Sequence, residues 1–506
     1  MLAVHAPCSW KWFQPGLVFI LDASLMINQQ MPDKDRFHSR RDFLKYGTAA
    51  AVASWVPGST LASSEVDRDY QLTAAKASVQ LADTPFPKTE TWSFERQSPG
   101  PLLRFRQGQT ARVKVTNQLT QGLTVHWHGL RIDNSMDGVP ILTQPPIAQG
   151  DAYQYAFTPP DAGTFWYHSH VNTAEQIGRG LYGPIIVEEH EAPPVDRDLV
   201  WVLDDWKLDK QAQIISDFDN PRDLARAGRL GNTVTINGRI PQALAVRAGE
   251  RIRLRLINAA NARIFALRFQ GHRSLVIARD GQPVDPYEPG GPVIIGPAQR
   301  YDLIIDMTGS PGHRYSVLEG YYPQSPSRLS SLAYTAEPGL DKGRYGDYPG
   351  LPRNPLPEPE LRDSLVQRIE LMGGDLSQLE EAQFGGQRLE MTRLYLLGKM
   401  WAINGVVNGG YSDPPLFSVK RGTTVVLDFR NRSAWPHPMH LHGHHFKVME
   451  HSRDQEVTGR WLDTILLGPE ESARVAFVAD NPGDWLFHCH ILGHARAGML
   501  AVIRVA

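Results

Sequence analysis

The residues best placed for chemistry lie near the C-terminus, where His488, Cys489 and His490 are followed by His494 and Met499. A thiolate, two imidazoles and a weak, long thioether make the trigonal site of blue-copper electron transfer. Cys489, His494, a histidine from upstream and an axial Met499 supply that set. On a strand, side chains two apart share a face and the one between them points away. His488 and His490 would then project together, opposite to Cys489, so that one backbone segment joins two metal sites.

Three more clusters repeat the H-x-H spacing: His126 with His128, His168 with His170, and His437 ahead of His440 and His442. Ten of the 18 histidines fall in these four clusters. The others, His5, His38, His190, His272, His313, His444, His445 and His451, have no ligand-type spacing and read as surface or satisfied core residues.

The clusters sit on an internal repeat. Gly108 leads to Asn117, Gly249 to Asn258 and Gly422 to Asn431, each across an alternating run of strand-forming residues. The same step beyond Asn117 and Asn431 reaches His126 and His440, each opening an H-x-H pair, whereas beyond Asn258 it reaches Leu267 and then Phe269. In a second register Gly163 precedes His168 as Gly483 precedes His488, which aligns Ser169 with Cys489. The first repeat has Leu123, Ala174 and Arg179 where the third has His437, His494 and Met499. Repeats one and three therefore share the paired histidines, only repeat three can build the thiolate site, and the middle repeat is expected to bind no copper and act as a spacer.

The elements that must position these residues are strands. Short runs rich in Val, Ile and Tyr, broken by 44 Gly and 38 Pro, predict an all-β chain of sandwiches or barrels. A length of 506 residues has room for about three domains, placed at residues 69–191, 196–336 and 361–506. Pro193 and Pro194 mark the first joint. Pro349, Pro352, Pro355, Pro357 and Pro359 mark the second, a semi-rigid linker that must return the chain to domain one so that the H-x-H pairs can meet. A formal charge of −2 gives no footprint for nucleic acid or an anionic membrane.

Residues 1–62 read as a leader. Arg40 and Arg41 precede an apolar stretch at 47–56 and the small-residue exit Thr60, Leu61, Ala62, an order that resembles a twin-arginine export signal. The apolar run is far shorter than the roughly 20 residues of a membrane span, and Met31 is the expected translation start. Such a signal engages the twin-arginine export machinery and carries folded protein to a bacterial periplasm. Cys8 would leave with the leader, so that Cys489 is the one thiol of the mature chain and no disulfide forms.

The motifs HWHG at 126–129, HSH at 168–170, HPMHLH at 437–442 and HCHILGHARAGM at 488–499, in this order, resemble those of the multicopper oxidases over essentially the whole mature chain. Residues 126–144 and 178–189 are similar to bacterial laccase-like members, including ones proposed to oxidise manganese(II). The resemblance implies three consecutive cupredoxin-like Greek-key β-barrel or sandwich domains and four coppers per chain. His437, Cys489 and His494 would hold the type 1 copper with Met499 axial, and His126 and His440 the type 2 copper. His128, His168 and His490 would hold one type 3 copper, and His170, His442 and His488 the other. A reductant would deliver single electrons at the type 1 site, Cys489 would pass them to His488 and His490, and four transfers would reduce one O2 to two waters. Asp137 matches an acid that the family places near the cluster, as proton donor or as an orienter of the ligands. The acid that some members carry after the last type 1 histidine is Ala495 here.

The reductant is a small molecule, a phenol or aromatic amine, or a low-valent metal ion. Between Leu371 and Leu397 only Met372 and Met391 occur, so the Met-rich insert of cuprous-ion specialists is missing and an open type 1 site is expected. Glu380 and Glu381 could instead serve a dedicated manganese(II) oxidase. A copper-free periplasmic scaffold would have lost ligands, a copper-sequestering protein would show Met or His tracts, and a copper nitrite reductase would lack the type 3 pair. A monomeric laccase-like oxidase is the reading that uses every clustered residue.

Overall fold

The computed structural model describes residues 68–506 except 192, 323–326 and 342–345. The expected leader, the Met31 start and Cys8 lie outside the described residues. The chain is all-β, built from three successive pairs of packed sheets. In the first, strands Arg68–Val79, Thr89–Phe94, Ala111–Asn117 and Ala152–Phe157 face Leu103–Arg106, Val125–His128, Gly163–Ser169 and Tyr182–Glu188. The middle pair has six and five strands, and so does the third, which adds the hairpin Glu381–Phe384 with Gln387–Glu390. Each pair encloses its own apolar core, centred on residues such as Val113 and Phe165, Leu254 and Leu303, and Leu427 and Trp485. Alternation sets the faces: along Ala111–Asn117 the residues Ala111, Val113, Val115 and Asn117 are buried while those between are not.

The Gly-to-Asn repeat has a physical cause. Ala111–Asn117, Arg251–Asn258 and Thr424–Asn431 each pair in parallel with the strand that opens their own sandwich. The terminal asparagine is buried in every case, and its carboxamide oxygen accepts from the backbone N–H two residues on, at Leu119, Ala260 and Ser433. Its NH2 donates to carbonyls within its own loop, Gln121, Arg263 and Trp435, and to a distant one, Ile147, Ile295 and Leu467. One side chain thus closes the loop that launches the ligand-bearing strand. The strand registers then place His126 opposite His168 and His440 opposite His488, where the middle sandwich has Leu267 opposite Glu319.

The first and third sandwiches touch directly. Asn134 donates to the Asp484 carbonyl at 2.8 Å and Asn481 to that of Ile132 at 2.9 Å. The proline-rich second linker runs alongside: Asn354 bonds both backbone groups of Ala162, and Glu358 pairs with Lys447. Among the described residues no helix is long and apolar enough to cross a membrane.

Candidate metal centres

The first centre gathers the end of strand Gly483–Cys489, the start of strand His437–Leu441 and the short helix Leu492–Arg496. Cys489 Sγ lies 3.6 Å from His437 Nδ1 and 3.7 Å from His494 Nδ1, and the two Nδ1 atoms are 3.1 Å apart. The outer nitrogens fix the tautomers. His494 Nε2–H donates to the Arg226 carbonyl at 2.6 Å, and His437 Nε2–H to Ser433 Oγ at 2.8 Å, whose own proton goes to Asn431. Two bare lone pairs therefore face the sulfur, and the middle of the triangle lies about 2 Å from each corner, the length of a metal–imidazole bond. Met499 is fully buried in the same core, its carbonyl accepting from Cys489 N–H. Burial pushes the Cys489 thiol up and His494 down to about 3, so that metal binding must displace the thiol proton.

Around the second centre eight imidazoles, all at most 2% exposed, converge from the first and third sandwiches. His126, His128, His168 and His170 come from one, His440, His442, His488 and His490 from the other. The ligand atoms of His170, His442 and His488 lie within 4.8 Å of one another, as do those of His126, His440 and His442 and of His126, His128 and His168. His490 joins no such trio, but its ring lies 5.1 Å from His128 and 5.3 Å from His168. Burial first, and neighbouring imidazoles second, hold His128, His168, His170, His442 and His490 well below the ordinary histidine value. These five rings are neutral at physiological pH and able to ligate.

Their outward nitrogens are tied down. His126 Nδ1 bonds the Asp137 carbonyl, His168 Nδ1 that of Ser169, His440 Nδ1 that of Asp463 and His488 Nδ1 that of Cys489, each at 2.9 Å. His170 Nδ1 meets the Tyr411 hydroxyl at 3.2 Å, and His442 Nδ1 donates to Asp137 Oδ2 at 2.9 Å. His128 is reversed: its Nε2 donates to Asp463 Oδ1 at 3.2 Å. The inward atoms, Nε2 of His126, His168, His170 and His440 and Nδ1 of His128, are buried without a partner. His442 and His488 bring Nε2 to within 3.2 Å of each other although both have committed their proton elsewhere. Lone pairs so opposed need a cation between them.

Comparison with known proteins agrees over most of the chain. Multicopper oxidase family models match residues 75–192, 197–334 and 387–506. The chain is 31% identical to multicopper oxidase MmcO of Mycobacterium tuberculosis, over 92% of this chain and 96% of that one. It is 27% identical to copper resistance protein A of Escherichia coli, over 92% and 99%. The crystal structure of a multi-copper oxidase from Pseudomonas thermotolerans superposes with a TM-score of 0.77 at 35% identity, covering 88% of this chain and all of the other. The chain belongs to the multicopper oxidases. Its fold is that of successive cupredoxin-like domains, its cofactor is copper, and it is an oxidoreductase with O2 as electron acceptor.

The donor set of this multicopper oxidase fits that metal: one thiolate with two imidazoles in one centre, imidazoles alone in the other. In the first sandwich the position of Cys489 is held by Ser169, whose hydroxyl bonds Gln176, while Leu123 and Ala174 are buried apolar neighbours, so that no thiolate centre forms there. Asp137 is buried and holds two rings, His442 through Oδ2 and His126 through its carbonyl and Oδ1, the last at 3.1 Å. Gly138 allows this, since at φ +77° a Cβ there would strike the Val125 carbonyl.

The expected open type 1 site is not found. His494 is fully buried, its Nε2 is capped by the Arg226 carbonyl from the middle sandwich, and Trp401 lies 4.1 Å from its ring. An exposed pair, Arg226 with Asp375 at 2.7 Å, clasps the cap to the third sandwich. Glu381, offered as a metal ligand, pairs with Arg388 on an exposed hairpin. Sequence reasoning missed Asp463, Thr464, Arg300, Tyr411 and the Arg226 carbonyl. None has a ligand pattern of its own, although the strand carrying Thr464 pairs with the one carrying His440.

Proposed function

We propose that this multicopper oxidase is a laccase-like enzyme that oxidises aromatic reductants, phenols or aromatic amines, one electron at a time. In this reading His437, Cys489, His494 and Met499 would hold the type 1 copper. His126 and His440 would hold the type 2 copper, His128, His168 and His490 one type 3 copper, and His170, His442 and His488 the other. Copper in these places supplies the one-electron steps and the four-electron reduction of O2 to two waters. The observation that carries the reading is the run 488–490, whose thiol belongs to one donor group while the adjoining imidazoles belong to the other.

The protein's own residues supply separation and positioning. Arg226 and Trp401 exclude solvent from His494, so the reductant docks outside the cap, where Leu376 is 78% exposed beside the Arg226–Asp375 pair. A cavity of about 120 Å³ reaches His170 and His488 between Tyr411, Leu486, Ala495 and Leu500, and suits a small apolar molecule such as O2. Asp137 orients His126 and His442 and stands where protons must arrive. The order of charge, apolar core and small residues over 39–62 supports twin-arginine export to a periplasm, and the folded unit works as a monomer.

Oxygen uptake by copper-loaded protein, measured side by side with a phenol, manganese(II) and cuprous ion, tests the proposal. Turnover fastest on the phenol supports it. Turnover confined to one metal ion would replace it with a dedicated metallo-oxidase, and none on any would refute the oxidase reading.

A further inference from the structure

The middle sandwich supplies none of the clustered imidazoles, yet one of its side chains reaches the second centre. Arg300, fully buried at the start of strand Arg300–Asp306, donates through Nη1 and Nη2 to the two oxygens of Asp463 at 2.8 and 2.5 Å. Its Nε donates to the carbonyl of Thr164 in the first sandwich at 3.2 Å, and Nη1 also to Ala298 in its own. One guanidinium therefore ties three sandwiches together at one carboxylate. That carboxylate meets two rings of the cluster: Oδ1 accepts from His128 Nε2 at 3.2 Å and lies 3.4 Å from His440 Nδ1, while the Asp463 carbonyl accepts from that Nδ1 at 2.9 Å. With Nε2 given to Asp463, His128 is left facing the cluster with Nδ1, which is buried without a partner.

Packing shows that the space is reserved for this pair. Gly129, which follows the first H-x-H, has φ +86°, and a Cβ there would strike Arg300 Nη2 and come within 2.7 Å of Asp463 Oδ2. Both Asp463 oxygens accept from Arg300, and the rings of His128 and His440 meet Asp463 as donors, one at Oδ1 and the other at the carbonyl.

We propose that Arg300 is a positioning residue of the trinuclear centre: its fork orients Asp463, which fixes the tautomer and aim of His128 and His440. The inference rests on the assignment of those histidines as copper ligands. A lysine cannot replace the planar two-pronged contact, and loss of a group that orients ligands lowers metal affinity by about 10-fold or more.

The test compares wild type, Arg300→Lys, Arg253→Lys and His128→Ala after copper loading and stepwise chelation, with copper counted per chain. The blue band reports the type 1 site, and electron paramagnetic resonance reports the type 2 site. Arg253 is the control, because it pairs with Glu189 and Asp302 in the same buried interface without touching Asp463. Arg300→Lys should keep its blue band, release its other coppers at roughly tenfold lower chelator and show an altered type 2 signal. Arg253→Lys should hold copper as wild type does. If Arg300→Lys accumulates poorly, the rise in its unfolding temperature with added copper reads the same affinity by linkage. Wild-type retention by Arg300→Lys, or equal loss from Arg253→Lys, would overturn the proposal. If His128→Ala keeps every copper, the ligand assignment itself fails, and the inference with it.

Discussion

Asp137→Asn separates the roles of the two centres most cleanly. In the folded protein one Asp137 oxygen accepts from His442 Nδ1 at 2.9 Å and the other lies 3.1 Å from His126 Nδ1, in a pocket closed to water. An amide offers one acceptor. With its oxygen toward His442, its NH2 confronts the His126 N–H, which keeps the Asp137 carbonyl as its only acceptor. A charge-assisted bond is replaced by a neutral one and a second contact turns unfavourable, a loss of about 1–2 kcal/mol, or roughly 5- to 30-fold in the equilibrium that aims these rings. Asp137 makes no hydrogen bond to the Cys489 centre, so the blue band should be unchanged. Reoxidation of the pre-reduced protein by O2, followed by stopped flow, should slow about tenfold. The defect should deepen as pH rises, because an amide relays no proton and solvent supplies fewer. Reoxidation at the wild-type rate across pH would refute the argument, and loss of the blue band would show that the effect is global.

Copper-free protein should lose stability as pH falls. Burial holds His488 and His494 down to about 3, while the unfolded chain takes up protons below about 6.5, so each such histidine contributes stability present above that value and lost beneath it by about 1.4 kcal/mol per pH unit. Urea midpoints that stay constant from about pH 7.5 to about pH 5 would contradict this. Met499→Leu should raise the type 1 reduction potential and keep the blue colour, since the axial thioether tunes that potential; a potential that stays put or falls would remove Met499 from the site. The middle sandwich should bind no copper, because Leu267 faces Glu319 where the others pair histidines, and metal analysis above four coppers per chain would overturn that.

The histidines were legible because they obey a period: two residues apart on strands, at a constant distance from an asparagine whose loop-closing bonds are the same in all three sandwiches. The replacement of that pattern by Leu267 and Phe269 in the middle repeat was visible for the same reason. What surrounds the ligands was not. Asp463 lies 335 positions from His128, and Arg300 arrives from a third sandwich. A short-range pattern carries no trace of such a contact beyond the glycine that leaves room for it, Gly129. The covered type 1 site escaped for a different reason: the cap on His494 is the Arg226 carbonyl, a backbone atom that every residue type possesses. The segment between Leu371 and Leu397 supplies only the clasp, Asp375, while the cap itself comes from the middle sandwich.

The measurement closest to the central claim is the copper content, colour and oxygen uptake of Cys489→Ser, the residue that the first sandwich already carries as Ser169. A hydroxyl is a hard, weak ligand where the thiolate is soft, and the second centre draws on imidazoles alone. The variant should lose its blue band and its steady-state oxidase activity, keep about three coppers by the donor count of that centre, and still consume O2 when chemically pre-reduced. A variant that stays blue, or that still turns over its reductant, would contradict the account of Cys489 as the link between the two centres.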